Sequence, residues 1–388
     1  MYTIIQILLT LIGIFIGVPG VYYLYLWRMA SKPWNLKIDK TYTPSITIII
    51  PTHNEERTIG FKLRNLSKVL YPREKMQIIL VDDASTDGTL QEVFKFVNDH
   101  PELNFEIVKE KARKGKSSAL NTALKHVKND IIVVTDADTF WDPNILRKSL
   151  PFLSDPSVGA ISGKQNLLNV QRSLLSGTEK FYLDLTYQII KLGESKIHST
   201  ILFHGLFSAY KRRYLDHFNL ETDDSGTALD IVQKGVRTIY VPDAMCYEIP
   251  FVTWRGKLNT KLRRASQLVS IYLKCLKLLL KKRLLLPMRI AIPEIFIYVV
   301  NPLIFLLLII ILLIFSYYYF YYFLSFAIVF LLLMIIPRLR FLFVEAVLDN
   351  IILLCALLKY ISGRKFTAWE TLKETRITLN ERLLENLV

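Results

Sequence analysis

Ile131-Ile132-Val133-Val134-Thr135-Asp136-Ala137-Asp138 is the stretch whose reading decides the fold. Its first five residues carry no charge and are all β-branched, which suits a short strand buried on both faces. Two carboxylates one residue apart follow where that strand has to end. In a parallel sheet the carboxyl ends of the strands are where ligands are met. Carboxylates packed this closely repel, so the pair favours a divalent cation, and hard oxygen donors suit Mg2+ or Mn2+. An acidic turn closing a strand explains an isolated Asp-x-Asp more simply, so the neighbouring segments decide between the two.

Upstream, residues 45–51 form a buried strand ending in the loop Thr52-His53-Asn54-Glu55, with a helix expected over 57–70. Residues 77–82 form the next strand, and Asp83-Ala84-Ser85-Thr86-Asp87-Gly88-Thr89 is a turn feeding a helix. A third strand covers 105–109, a helix 116–127, and the fourth strand 131–135. Strands alternating with helices of this length predict an α/β domain, a mostly parallel sheet with helices on both faces. One cleft can then collect Asn54, Glu55, Asp82, Asp83, Asp136 and Asp138. Further on, strands are expected over 158–166 and 237–242 and helices over 178–192 and 226–234.

The chain is 52% apolar, but the apolarity is uneven. Residues 1–26 contain no charge and are followed by Arg28 and Lys32, which reads as a spanning helix, since a hydrocarbon core needs about 20 apolar residues. No basic start or small-residue cleavage site suggests a signal peptide. Residues 37–255 read as soluble, and apolarity returns from Pro287 to about Tyr360. The net charge of +15 does not point to nucleic acid, because the basic residues gather in 255–289 and beside the apolar runs, where anionic headgroups of membrane lipids would lie. Over 256–283 the residues Leu258, Leu262, Val269, Tyr272, Leu276 and Leu280 form a stripe beside Lys257, Lys261, Arg263 and Arg264, the pattern of a helix in the membrane interface. Spans are expected over 295–315 and 324–336, with Tyr317 to Tyr322 as an interfacial aromatic belt. The segment 341–358 carries Glu345 and Asp349, so it either lies flat, packs on the domain or makes a fourth span. The resulting division is 1–27 anchor, 37–250 catalytic domain, 251–286 interfacial helix, 287–360 membrane region and 361–388 tail, in a multi-pass cell-membrane protein with its catalytic domain in the cytosol. The three cysteines, Cys246, Cys275 and Cys355, lack metal-ligand or disulfide-framework spacing.

In order, Pro51-Thr52-His53-Asn54-Glu55, Val81-Asp82-Asp83-Ala84-Ser85, Lys114-Gly115-Lys116-Ser117-Ser118-Ala119-Leu120-Asn121 and Asp136-Ala137-Asp138 resemble the membrane-bound family-2 glycosyltransferases, the group of cellulose, hyaluronan and poly-N-acetylglucosamine synthases. Glu221-Thr222-Asp223-Asp224 resembles the family's Thr-Glu-Asp block with Asp for Glu, and Arg263 falls at the arginine of its Gln-x-x-Arg-Trp motif. Trp369 and Arg376 resemble its C-terminal pattern. The resemblance implies a GT-A type domain and an inverting, metal-dependent transfer from a nucleotide-sugar, with UDP as the nucleotide, to a lipid-linked or growing glycan.

The same resemblance assigns Thr52, Asn54, Glu55 and Asp83 to the nucleoside and Lys116 to the base or phosphates. Asp138 would hold the metal, and Asp136 the metal or the ribose. Arg263 would clamp the diphosphate, a fork matching paired phosphate oxygens. Asp224 would be the general base, since inverting transfer needs a carboxylate beside the acceptor hydroxyl. His204, Gly205 and Asp223 would shape the acceptor site. Each has a plainer alternative: Asn54 and Glu55 as helix caps, Asp223, Asp224 or Ser225 as the cap of the next helix, His204 and Trp141 as structural residues. Thr260 replaces the motif's Gln and Arg264 its Trp, which puts polymer extension in doubt. Two other readings remain: a polyprenyl-phosphate sugar synthase, whose ionised acceptor needs no base, and a non-catalytic membrane protein.

Overall fold

The computed structural model describes residues 2–168, 183, 186–249 and 253–363. Residues 178–182, 184 and 185 of the expected helix 178–192, and the tail bearing Trp369 and Arg376, lie outside the described residues. The described chain divides into two compact units, one containing Leu26–Gly256 and the other Met1–Tyr25 with Lys257–Phe366.

In the first unit, β1 (Ile46–Thr52), β2 (Met76–Asp82), β3 (Asn104–Lys109) and β4 (Ile131–Val134) are parallel neighbours in the order β3-β2-β1-β4. Every residue of β1, β2 and β4 is buried, as expected of apolar runs covered on both faces, whereas β3 at the sheet edge is half-exposed. Three crossover helices follow β1, β2 and β3: α2 (Glu56–Ser67), α3 (Thr89–Asp99) and α4 (Lys116–Ala123). The N-terminal helix α1 (Tyr2–Ala30) precedes them. Because Thr52 pairs with Asp82 and Ile49 with Val134, the carboxyl ends of β1, β2 and β4 lie side by side.

Beyond β4 the sheet continues with β7 (Ser208–Lys211), β6 (Val158–Leu167), β8 (Arg237–Glu248) and β5 (Phe140–Trp141). Strand β7 runs antiparallel to β4, so its entrance, residues 203–207, meets the carboxyl end of β4. Neither β5 nor β7 was expected: β5 has two residues, and β7 (Ser-Ala-Tyr-Lys) forms neither a period nor the apolar run that marked β4. Short helices α5 (Ile145–Ser149) and α6 (Leu192–Ile197) and the longer α7 (Ser225–Val232) complete the unit. Trp141 is a core residue: it is fully buried, its Nε1–H donates to the Leu206 carbonyl at 2.9 Å, and its ring meets Phe207 edge-on at 5.2 Å.

In the second unit, α1 and α9 (Met288–Tyr318) are long and apolar enough to cross a membrane. Helix α8 (Trp254–Leu280) precedes α9, and α10 (Phe320–Leu333) and α11 (Pro337–Ile361) follow it. Phe15 stacks on Phe305, joining α1 to α9, and Tyr272 stacks on Tyr298 at 4.6 Å, joining α8 to α9. The segment carrying Glu345 and Asp349 belongs to the single 25-residue helix α11. Its charges are explained by α8. Lys257 Nζ lies 3.1 Å from Glu345 Oε1, and Lys261 contacts both Glu345 and, at 2.9 Å, Asp349. Lys257 and Lys261 are therefore not part of an exposed basic face; Lys257 is fully buried. Removing one member of a buried pair strands the other's charge, at a cost of about 3–5 kcal/mol. Glu345→Leu is thus expected to lower the thermal midpoint of the detergent-solubilised full chain, and adding Lys257→Met to recover part of the loss.

Candidate active site

The loops leaving β1 and β2 are laced together by side chains. Asn54 takes a left-handed conformation (φ 56°), which Asn tolerates better than most residues. Its backbone N–H donates to Ser85 Oγ at 2.9 Å, and its Oδ1 accepts the Thr86 N–H at 2.8 Å. Glu55 is buried; its N–H donates to Thr89 Oγ1 at 2.7 Å, and its carboxylate accepts the Thr58 hydroxyl at 2.6 Å. Glu55 occupies the N-cap position of α2 without a side-chain capping bond. Asp83 grips the next loop: its two oxygens accept the N–H groups of Lys114 and Gly115 at 2.7 and 2.8 Å. Gly115, at φ 92°, makes the turn into α4 that few other residues adopt. The result is a cleft lined by Thr52, His53, Asp83, Arg113, Lys116 and Asp136, among others. Thr52, Asp83, Lys116 and Asp136 thus share one wall, whereas the polar groups of Asn54 and Glu55 described above serve the loops behind it.

Lys116 joins this wall to the acidic loop before α7. Its Nζ lies 2.7 Å from Asp136 Oδ1 and 3.0 Å from Asp223 Oδ2. Burial alone would lower its pKa; the fields of Asp136, Asp223 and Asp224 outweigh that and hold it well above the usual lysine value, so it stays an ammonium ion. Gly205 leaves space for this pair: a Cβ there would sit 2.2 Å from Lys116 Nζ and 2.7 Å from Asp136 Oδ2. The Gly205 carbonyl also accepts the Asp136 N–H at 3.0 Å.

Asp224 stands at the N-cap position of α7 but makes no side-chain capping bond, and Ser225 Oγ donates elsewhere, to the Phe203 carbonyl at 3.2 Å. With Asp223 on Lys116, none of the three candidates caps that helix. Residues without an assigned role in the sequence hold the loop. Asn219 Oδ1 accepts the N–H groups of Glu221 and Thr222, both at 3.1 Å. A Cβ on Gly226 would lie 2.0 Å from Thr222 Oγ1. Asn121 on α4 pairs in both directions with the Phe218 backbone at 2.9 and 2.8 Å. Asn121 closes the Lys114 to Asn121 motif, the one signal that marked it. His204 is buried, with Nε2 at 2.9 Å from the Gly163 carbonyl. Arg263 is half-buried on α8, in the other unit.

Lys62 was also unmarked. It is fully buried on α2, and burial pushes its amine down to about 7, against the pull of Asp136.

The Asp136 and Asp138 carboxylates are both partly exposed at the end of β4, and as hard oxygen donors they fit Mg2+ or Mn2+. Among the described residues no group of three or more His, Cys, Asp or Glu side chains gathers to hold a metal. A cation here would therefore complete its shell with water and substrate oxygens, the usual arrangement for a metal shared with a diphosphate.

The glycosyltransferase like family 2 profile matches residues 44–266, which cover the sheet and every site residue just described. The chain belongs to that family. It is a glycosyltransferase with a GT-A domain. A mannosyltransferase from Pyrobaculum calidifontis, solved in complex with GDP-Man and Mn2+, is 30% identical, with a TM-score of 0.79 over 93% of this chain and 100% of its own. The poly-beta-1,6-N-acetyl-D-glucosamine synthase of Staphylococcus aureus is 26% identical over 64% of this chain and 61% of its own. A probable glycosyltransferase of Bacillus subtilis, YdaM, is 27% identical over 59% and 56%. The chain thus spans about 60% of the length of these curated relatives.

Gly205→Ala is expected to displace the Lys116–Asp136 pair and weaken nucleotide binding by about tenfold or more, the loss of one charge-assisted contact. Calorimetric titration with GDP or UDP in the presence of Mn2+ checks this.

Proposed function

We propose that the chain is an inverting, metal-dependent membrane glycosyltransferase that moves a sugar from a nucleoside-diphosphate donor to a hydroxyl of a lipid-linked or glycan acceptor. The observation that carries the reading is Lys116, whose ammonium group touches Asp136 on one side and Asp223 on the other, with Asp224 next in the chain. Donor-side and acceptor-side carboxylates thereby meet at the end of β4. Thr52 and Asp83 bind the nucleoside beside the loops fixed by Asn54 and Glu55, and Lys116 meets the diphosphate. Gly205, His204 and Asp223 border the acceptor. Asp224 takes the proton of the attacking hydroxyl, with no competing duty as a helix cap. A divalent cation held by Asp138, with Asp136 beside it, would neutralise the charge growing on the departing diphosphate.

The family resemblance favours UDP, but the mannosyltransferase similar over 93% of this chain was solved with GDP-Man, so GDP-mannose is the donor to test first. The two long apolar helices and the further apolar α10 support a multi-pass chain resting among membrane lipids, and the basic residues after the last apolar run, Lys359, Arg364, Lys365, Lys373 and Arg376, support a catalytic domain in the cytosol. Arg264 at the motif's Trp position supports transfer of one or a few sugars rather than extension of a polymer.

The test is nucleotide release by the detergent-purified chain with Mg2+ or Mn2+ across GDP- and UDP-sugars, with and without polyprenyl phosphate. Turnover without the lipid phosphate supports a hydroxyl acceptor; a strict requirement for it makes the protein a polyprenyl-phosphate sugar synthase. Asp138→Asn is expected to lower metal-dependent turnover by about 100-fold or more. Asp224→Asn is expected to keep donor binding while transfer drops by about 10²–10⁴-fold, the usual worth of a general base. Unchanged transfer in that variant would point back to the phosphate acceptor.

A further inference from the structure

The buried amine of Lys62 has no part in the chemistry above, yet it sits directly behind it. Its Nζ donates to Thr135 Oγ1 at 2.7 Å and to the Thr139 carbonyl at 2.8 Å, and it lies 4.5 Å from the centre of the Trp141 ring. Thr135 immediately precedes Asp136, and Thr139 immediately follows Asp138. One fully buried side chain thus grips both ends of the Asp136-Ala137-Asp138 turn. The grip continues into the next strand: the Thr135 hydroxyl lies 3.0 Å from the Leu206 carbonyl, which also receives Trp141 Nε1–H. A methionine or leucine would fill this space without the desolvation cost of an amine, and apolar replacements of buried ionic groups are often neutral or stabilising. Packing therefore does not explain a lysine here; its hydrogen bonds do.

We propose that Lys62 is a positioning residue for divalent-cation binding, holding the turn so that the carboxylates of Asp136 and Asp138 are presented together to the cation and the donor's diphosphate. The inference rests on reading those two carboxylates as the metal ligands. Groups that orient metal ligands from behind typically affect metal affinity by 10–100-fold when removed.

The experiment measures Mn2+ affinity by the loss of the free-ion paramagnetic resonance signal, using the full chain in detergent with GDP present. Wild type is compared with Lys62→Met, Thr135→Val and Asp138→Asn, and each variant is also titrated with GDP in EDTA. Lys62→Met is expected to weaken Mn2+ binding about 10–100-fold while metal-free GDP binding stays within twofold. Thr135→Val, which deletes only the hydroxyl between Lys62 and Leu206, is expected to weaken Mn2+ several-fold and decides the matter if Lys62→Met does not fold. Mn2+ affinity within twofold of wild type in the folded variants overturns the proposal, as does an equal loss of GDP binding in EDTA, which marks general disruption of the domain. Unaltered Mn2+ affinity in Asp138→Asn instead defeats the reading of the carboxylates as ligands, a failure distinguishable from that of Lys62.

Discussion

Three carboxylates, Asp136, Asp223 and Asp224, act on the single ammonium group of Lys116, and the domain is arranged around that electrostatic knot. Without the cation, the end of β4 and the loop before α7 would repel each other. With it, two segments more than eighty residues apart in sequence are held within hydrogen-bond range. Asn121, one turn beyond Lys116 on the same helix, makes the backbone contact that keeps the α7 loop in register. Gly205 and Gly226 contribute by what they lack, since a side chain at either would occupy space taken by the residues of the knot and its loop.

The donor half of this arrangement was legible in the sequence because its residues follow directly from strands. A buried apolar run has a definite end, and in a parallel sheet all such ends point the same way, so strand ends alone put Asp83 and Asp136 in one cleft, while Thr52 followed from the family resemblance. The loops that follow were harder. Asn54 and Glu55 stand in the right place, but the contacts traced for them run to Ser85, Thr86, Thr89 and Thr58, a lacing that strand periodicity does not encode.

Buried lysines were the least legible feature. A lysine on an amphipathic helix reads as solvent-facing, and both Lys62 on α2 and Lys257 on α8 break that rule. In each case the reason is an acceptor far away in the chain: Thr135 and Thr139 for one, Glu345 for the other. The same long separation hid the meaning of Glu345 and Asp349, which looked anomalous in an apolar segment and are in fact the counter-charges of α8. Local pattern reports the surface a helix ought to have; it cannot report which remote group pays for an exception.

The reversal of β7 has a wider effect on how the cleft is encoded. One wall is made of chain leaving strands, after β1, β2 and β4; the other is made of chain entering a strand, residues 203–207 ahead of β7. The two walls meet where the Asp136 N–H donates to the Gly205 carbonyl and where the Thr135 hydroxyl and Trp141 Nε1–H reach the Leu206 carbonyl. Insertions ahead of Phe203 can therefore reshape the second wall while the first keeps its register, because parallel pairing among β1, β2 and β4 does not involve that stretch. The architecture separates into a fixed half and a variable half joined at Gly205 and Leu206, so two chains with the same first wall can differ widely in what the second admits.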